Sequence, residues 1–167
     1  AGAVNSKLKM WDIILADSLI QHDMDARPIF DKFVIPALKT KKIIPNMDLI
    51  DKIFNQLTKD LNHIKLSKFG NLHKGLIATG DMFISNKTKL QQLSKDISGL
   101  YAVEMEGAAF AQVAFQEKVN WLVLRIISDE ANESASSDFN KFLIEYKLCS
   151  FNLIKCLINI LAQEDKI

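Results

Sequence analysis

Glu104 and Glu106 flank Met105 where a short apolar run, Leu100 to Val103, gives way to the small-residue pattern Ala108, Ala109, Ala111, Ala114. The change of period predicts a strand running into a helix, the junction at which α/β proteins carry ligand-handling groups. Carboxylates two residues apart lie on one side of an extended chain but on different sides of a helix. At the junction they can converge on a polar ligand such as a vicinal diol, or both can simply favour the positive end of the helix dipole. Two further strand ends carry useful chemistry. Ser128-Asp129-Glu130 follows the apolar run that begins at Trp121, and Met82-Phe83-Ile84 follows a Gly80-Asp81 turn. A flat side chain such as Phe83 beyond a strand end either stacks on an aromatic base or plugs the core.

His22-Asp23-Met24-Asp25 gathers the donor types of a metal centre. No second cluster accompanies it, His63 and His73 stand alone, and zinc spacings are missing, so no metal is predicted. Arg27 beside the cluster is read as its ion-pair partner rather than as an anion site. Alternation puts Arg125, Ile127 and Asp129 on one side of their strand. An Arg within a buried strand needs an acidic partner, expected to be Glu104 or another carboxylate near the sheet mouth.

These residues require a frame. Trp11–Ile20 has the length and apolarity of a strand, His73–Thr79 reads as another, and Trp121–Ser128 reads as one buried on both faces of a parallel sheet. Leu49, Ile50, Ile53, Phe54, Leu57 and Leu61 recur at helical spacing behind Asn46, a plausible N-cap. Shorter helices are predicted from about Asn86 to Asp96 and from Met105 to about Lys118. A polar, Ser-rich loop from Asn132 to Asp138 leads into a long closing helix ending near Ala162, with a frayed tail from Gln163. Strands and helices in this succession predict an α/β domain with a largely parallel sheet, whose ligands bind outside the carboxyl ends of the strands.

The 167 residues suit one domain, 49% hydrophobic and 25% charged, with net charge +1. That balance makes no electrostatic case for nucleic acid or an anionic membrane, and no apolar run is long enough to span a bilayer. Cys149 and Cys156 lie two helical turns apart, ~10 Å at a rise of ~1.5 Å per residue, beyond the reach of a disulfide. They predict a reducing, cytoplasmic setting. The opening Ala1-Gly2-Ala3-Val4, without an initiator Met, reads as the interior of a domain and predicts a fragment.

Together, Ala1-Gly2-Ala3, Leu8–Ile14, Thr79-Gly80-Asp81-Met82-Phe83-Ile84, Val103-Glu104-Met105-Glu106-Gly107-Ala108 and Arg125-Ile126-Ile127-Ser128-Asp129 resemble the nucleoside phosphorylase superfamily. The nearest resemblance within it is to the 5'-methylthioadenosine/S-adenosylhomocysteine nucleosidases, and it extends from Ala1 to the closing helix. It implies a three-layer α/β/α sandwich around a mostly parallel twisted sheet, a homodimer, and hydrolysis of the N-glycosidic bond of adenine nucleosides without metal or cofactor. By the same resemblance, Asp129 is the general acid to purine N7 and Ser128 orients it. Glu106 holds the ribose hydroxyls, Met105 packs on the sugar and Glu104 supports the site. Phe83 stacks on adenine, the Ile84 backbone reads its edge, and Phe139 closes over the ligand. The His22–Pro28 stretch falls near the subunit contact and the 5' end of the ligand.

The family's water-activating Glu, and a Ser or Thr before the Ala-Gly pair, correspond to positions upstream of Ala1. The resemblance therefore covers the C-terminal two thirds of the family domain and predicts weakened hydrolysis. Two other readings stand beside it. A purine nucleoside phosphorylase would use phosphate instead of water, although Asp129, where 6-oxopurine enzymes carry Asn, favours adenine. A non-catalytic purine-binding or subunit-interaction module would use its exposed sheet edge to pair with another chain.

Overall fold

In the computed structural model, residues 1–62, 64–131 and 135–164 are described, apart from the side chains of 64, 135–138, 163 and 164. Five strands, β1 (Gly2–Ala3), β2 (Ile13–Gln21), β3 (Leu72–Thr79), β4 (Leu100–Glu104) and β5 (Leu124–Ile126), form one sheet in the order β1-β4-β3-β2-β5. The central strands β2, β3 and β4 are parallel, while β1 and β5 run antiparallel to their neighbours. Helices α1 (Met47–Asp60), α2 (Lys87–Asp96), α3 (Gly107–Gln116) and α4 (Ala135–Glu164) cover both faces, giving the expected α/β layers.

β2 shows how the sequence sorts those faces. Ile13 and Leu15 point to the cluster shared with α1 and α4, while Ile14 and Ala16 point to the cluster shared with α3. Strict alternation would then send Leu19 to the α1 side. A register shift between Ala16 and Ser18 resets the pleat, so Leu19 joins Ile14 and Ala16, and Ile20 faces the cluster containing Leu93 and Ile97 beneath α2. On the α3 side, Ala108, Ala111 and Ala114 are buried against β2 and β3, where larger side chains would hold the helix off the sheet. Asn46 and Asn86 cap α1 and α2, accepting the N–H groups of Leu49 at 3.2 Å and Lys89 at 3.1 Å.

The apolar run at Trp121–Ser128 differs from expectation. Only Leu124–Ile126 is strand, and it lies at the sheet edge, antiparallel to β2. Its apolar residues are nevertheless buried on both faces: Trp121 and Val123 join the cluster that contains the α3 alanines, and Ile126 joins the α1–α4 cluster. Helix α3 starts at Gly107, not Met105, and α4 already includes Ala135–Asp138 of the expected loop. Gln163 and Glu164 still belong to α4. His63, residues 132–134 of that loop and the tail from 165 lie outside the described residues.

The sheet curls until its two edges meet. Gly2 pairs with Val103 of β4 on one side and forms a parallel bridge to Asp129, just beyond β5, on the other. A Cβ at position 2 would sit 2.8 Å from Ala131 Cβ and 3.0 Å from Asp129 Oδ1, so a glycine is required where the edges close.

Candidate active site

Closure at Gly2 brings the ends of β4 and β5 to one place, beside the loop that follows β3. The cavity there, about 360 Å³, is lined by Met82, Phe83, Ile84, Glu104, Met105, Glu106, Ser128, Asp129 and Phe139, with Ala1, Gly2 and Val103 completing the wall. All eight residues named from the sequence therefore share one cavity, although they come from four separate stretches of chain.

Glu104 organises the carboxylate side. It is the last residue of β4 and is buried, with a side chain only 4% exposed. Its Oε2 accepts from Arg125 Nε at 2.8 Å and from the Gly107 N–H at 2.8 Å, and its Oε1 accepts from the Thr79 hydroxyl. Thr79 Oγ1 in turn accepts the Ala108 N–H at 2.8 Å. Two orphan donors at the start of α3 are thus satisfied from the ends of β3 and β4, and the helix's positive end meets a carboxylate. The charge is compensated by the Arg125 guanidinium, for which a carboxylate partner such as Glu104 was expected. A Cβ on Gly107 would lie 3.0 Å from both Glu104 oxygens, which is why a glycine opens this helix.

Glu106 is different. It occupies the N-cap position of α3 but makes no side-chain cap bond, since Glu104 supplies that contact. Its side chain is 75% exposed, reaching Arg125 Nη2 at 3.3 Å. Of the two alternatives for the paired carboxylates, the helix-terminal one describes Glu104, whereas Glu106 keeps acceptor capacity toward the cavity. Met105 between them is exposed.

Asp129 forms the opposite wall. It is 3% exposed, with Oδ2 accepting the Ser128 hydroxyl at 2.7 Å and Oδ1 accepting the Ala131 N–H at 2.8 Å. Its backbone carbonyl takes the Ala3 N–H at 2.8 Å, which fixes the carboxyl relative to Gly2. Both oxygens are thus oriented by neighbours from its own segment.

Phe83 and Phe139 stand edge to face, centroids 6.3 Å apart, and both remain partly exposed. Phe83 is therefore a cavity wall and not a core plug. Ile84 is buried among Ile20, Val103 and Leu93, anchoring the loop beneath it. Thr79, Arg125 and Gly107 bear on the site through Glu104. The signals for Thr79 and Gly107 were a strand end and a helix start, which alone do not single out a residue.

The His22–Asp25 cluster disperses. His22 is buried at the end of β2, where its ring occupies the space a Cβ on Gly80 would need, 2.3 Å from Cε1. Its Nε2 has no hydrogen-bond partner, and burial lowers its pKa from 6.5. Asp23 accepts the Asp81 N–H at 2.8 Å, and Asp25 pairs with Arg27 as expected.

The family model of the phosphorylase superfamily matches residues 1–160. The 5'-methylthioadenosine/S-adenosylhomocysteine nucleosidase of Haemophilus influenzae (strain PittGG) is 34% identical over 86% of this chain, which spans 59% of that relative's length. A solved S-adenosylhomocysteine nucleosidase from Streptococcus pyogenes, in complex with 5-methylthiotubericidin, superposes with a TM-score of 0.80 at 33% identity, covering 95% of this chain and 64% of that one. The Streptococcus pneumoniae 5'-methylthioadenosine/S-adenosylhomocysteine nucleosidase with a transition-state inhibitor superposes at 0.82 and 31% identity, over 96% of this chain and 66% of that one. With a matching family model, shared topology and the strand-end residues gathered in one cavity, the chain belongs to the phosphorylase superfamily.

Proposed function

We propose that the chain carries the base- and ribose-binding part of an adenine nucleosidase that hydrolyses the N-glycosidic bond of 5'-methylthioadenosine or S-adenosylhomocysteine. The observation that carries this reading is the placing of a buried, oriented carboxyl, Asp129, across one cavity from the half-free carboxylate of Glu106, with an aromatic wall beside both. The names of the relatives support the substrate class.

In this reading adenine lies against Phe83, with Phe139 closing over it and the Ile84 backbone meeting its edge. Asp129 delivers a proton to purine N7, which turns a poor leaving group into a neutral base, and Ser128 aims the carboxyl. As the bond breaks the sugar becomes oxocarbenium-like, and the Glu106 contact to the ribose hydroxyls strengthens in that state. Met105 packs on the sugar. Glu104 supports the ribose side of the cavity, holding Arg125 and the start of α3 in place.

With Glu104, Glu106 and Asp129 so assigned, no described carboxylate of the cavity remains to activate water. Turnover by this chain alone is therefore placed about 10²–10⁴-fold below that of a complete relative, the contribution of one acid/base group. A homodimer, a role in methionine salvage and a cytoplasmic location belong to the same reading; the unlinked Cys149 and Cys156 support the last. The test is product analysis in ¹⁸O-water. Hydrolysis puts the label on the sugar C1 hydroxyl and releases adenine without added phosphate, whereas phosphate-dependent formation of a sugar 1-phosphate would replace this reading with that of a phosphorylase.

A further inference from the structure

Trp11 holds a backbone conformation that its side chain opposes. Its φ is +74°, in the left-handed region that glycine enters freely and a bulky residue avoids. Such strain persists only where the surroundings over-determine it. Here the buried Asp12 pins the turn: its Oδ2 accepts the Lys9 N–H at 3.0 Å and meets His73 Nε2 at 2.9 Å, and its Oδ1 accepts the Asn71 N–H at 2.8 Å. The Trp11 carbonyl accepts the Gly70 N–H at 2.9 Å. None of these bonds uses an indole at position 11.

Backbone and indole reach toward opposite walls of the nucleoside cavity. The Trp11 N–H donates to the Ile127 carbonyl at 2.9 Å, and the Ile127 N–H donates to the Asp12 carbonyl at 2.8 Å, which fixes the chain just before Ser128 and Asp129. The indole centroid lies 4.6 Å from that of Phe142, and Phe142 stacks on Tyr146 at 5.2 Å. Lys68 sits over the same indole, 4.4 Å from its centroid, and pairs with Glu145 of α4. Phe142 follows Phe139 by one turn of α4, and Phe139 stands against Phe83 in the cavity. Trp11 itself lies outside the cavity lining.

We infer that Trp11 is a positioning residue for base binding. Through Phe142 it sets the start of α4 so that Phe139 faces Phe83 across the base slot, while its backbone holds the Asp129 segment in register with that pair. The inference rests on the adenine site proposed above and adds a residue remote from it. Leu153 and Ile160 keep the rest of α4 in the cluster shared with α1, so loss of the indole frees the first turns of α4 without releasing the helix. The cost then falls on ligand affinity.

The test is a double-mutant cycle read by calorimetric titration with adenine, a probe that needs no turnover. Trp11→Gly deletes the indole and relieves the backbone at once. Trp11→Gly and Phe139→Ala should each weaken adenine binding about 10-fold, the scale of one base–aromatic contact. The double variant should lose about 10-fold in all rather than about 100-fold, because both changes remove the same contact. Phe142→Leu breaks the ring chain from the α4 side while keeping apolar bulk, and it should match Trp11→Gly in the same cycle even if position 11 proves sensitive for folding. Trp11→Phe should restore affinity to within about 2-fold. Losses that multiply in the double variants would overturn the inference and leave the adenine site standing. So would Trp11→Gly and Phe142→Leu proteins that bind adenine like the unaltered chain while Phe139→Ala does not. An unaltered chain that binds no adenine would overturn the site reading and the inference together.

Discussion

Arg125 Nε lies 2.8 Å from Glu104 Oε2, so a residue of the edge strand β5 neutralises a buried carboxylate at the end of β4. The two strands are far apart in the sheet order and meet because the sheet curls closed at Gly2. The pair ties the cavity's two walls together, and it makes the site sensitive to changes that touch no ligand.

Removing the guanidinium leaves the Glu104 carboxylate buried without its counter-charge. Arg125→Met should destabilise the chain by about 3 kcal/mol, the lower end for a broken buried pair, because Arg125 is partly exposed. Urea unfolding followed by tryptophan fluorescence measures it; a loss below ~1 kcal/mol would show that the pair is solvated.

Thr79 is a relay between Glu104 and the Ala108 N–H. Thr79→Val keeps the shape but strands a buried N–H and one carboxylate lone pair, for an expected cost of about 1–3 kcal/mol. Thermal denaturation of the variant, alongside Thr79→Ser as the hydroxyl-retaining control, checks the relay.

His22 is held below its ordinary pKa of 6.5, first by burial and secondarily by the Lys89 charge, against the opposing pull of Asp23 and Glu104. A base with a lowered folded-state pKa binds its proton more readily when unfolded, so stability is complete above pH 6.5 and declines as pH falls below it. In His22→Gln that part of the pH dependence should vanish. Unfolding midpoints between pH 7.5 and 5 give the comparison, and an unchanged slope in the variant would rule His22 out as its source.

Much of this arrangement was legible in the sequence because periodicity and motif agreed. The cap at Asn46, the helix from about Asn86, the strands around Ile14 and Ile77, and the Glu104–Arg125 pair follow from patterns a few residues long. The position of β5 was not legible. A strand covered by helices on both faces has the same composition as one buried between strands, so Trp121–Ser128 could not reveal that the strand is limited to Leu124–Ile126 and lies antiparallel to β2. Nor could spacing separate the roles of Glu104 and Glu106. That separation depends on Thr79 and Arg125, which reach Glu104 only through the tertiary fold.

Phe83 and Glu106 act on binding in this account. Phe83→Ala should raise the dissociation constant for adenine by about 10-fold or more, as expected for loss of ~1–3 kcal/mol of base stacking. Glu106→Gln should weaken nucleoside binding while leaving free adenine unaffected. Calorimetric titration with both ligands distinguishes the two, and equal effects of Glu106→Gln on both would remove that residue from the ribose.

The most direct measurement is adenine release from 5'-methylthioadenosine in phosphate-free buffer by the unaltered chain and by Asp129→Asn, with nucleoside affinity determined for both. Slow release by the unaltered chain is expected, with a further fall of about 10²–10⁴-fold in Asp129→Asn at nearly unchanged affinity, because Asn can hold N7 but cannot protonate it. Equal release by the two proteins, or no adenine from the unaltered chain at saturating nucleoside, would contradict it.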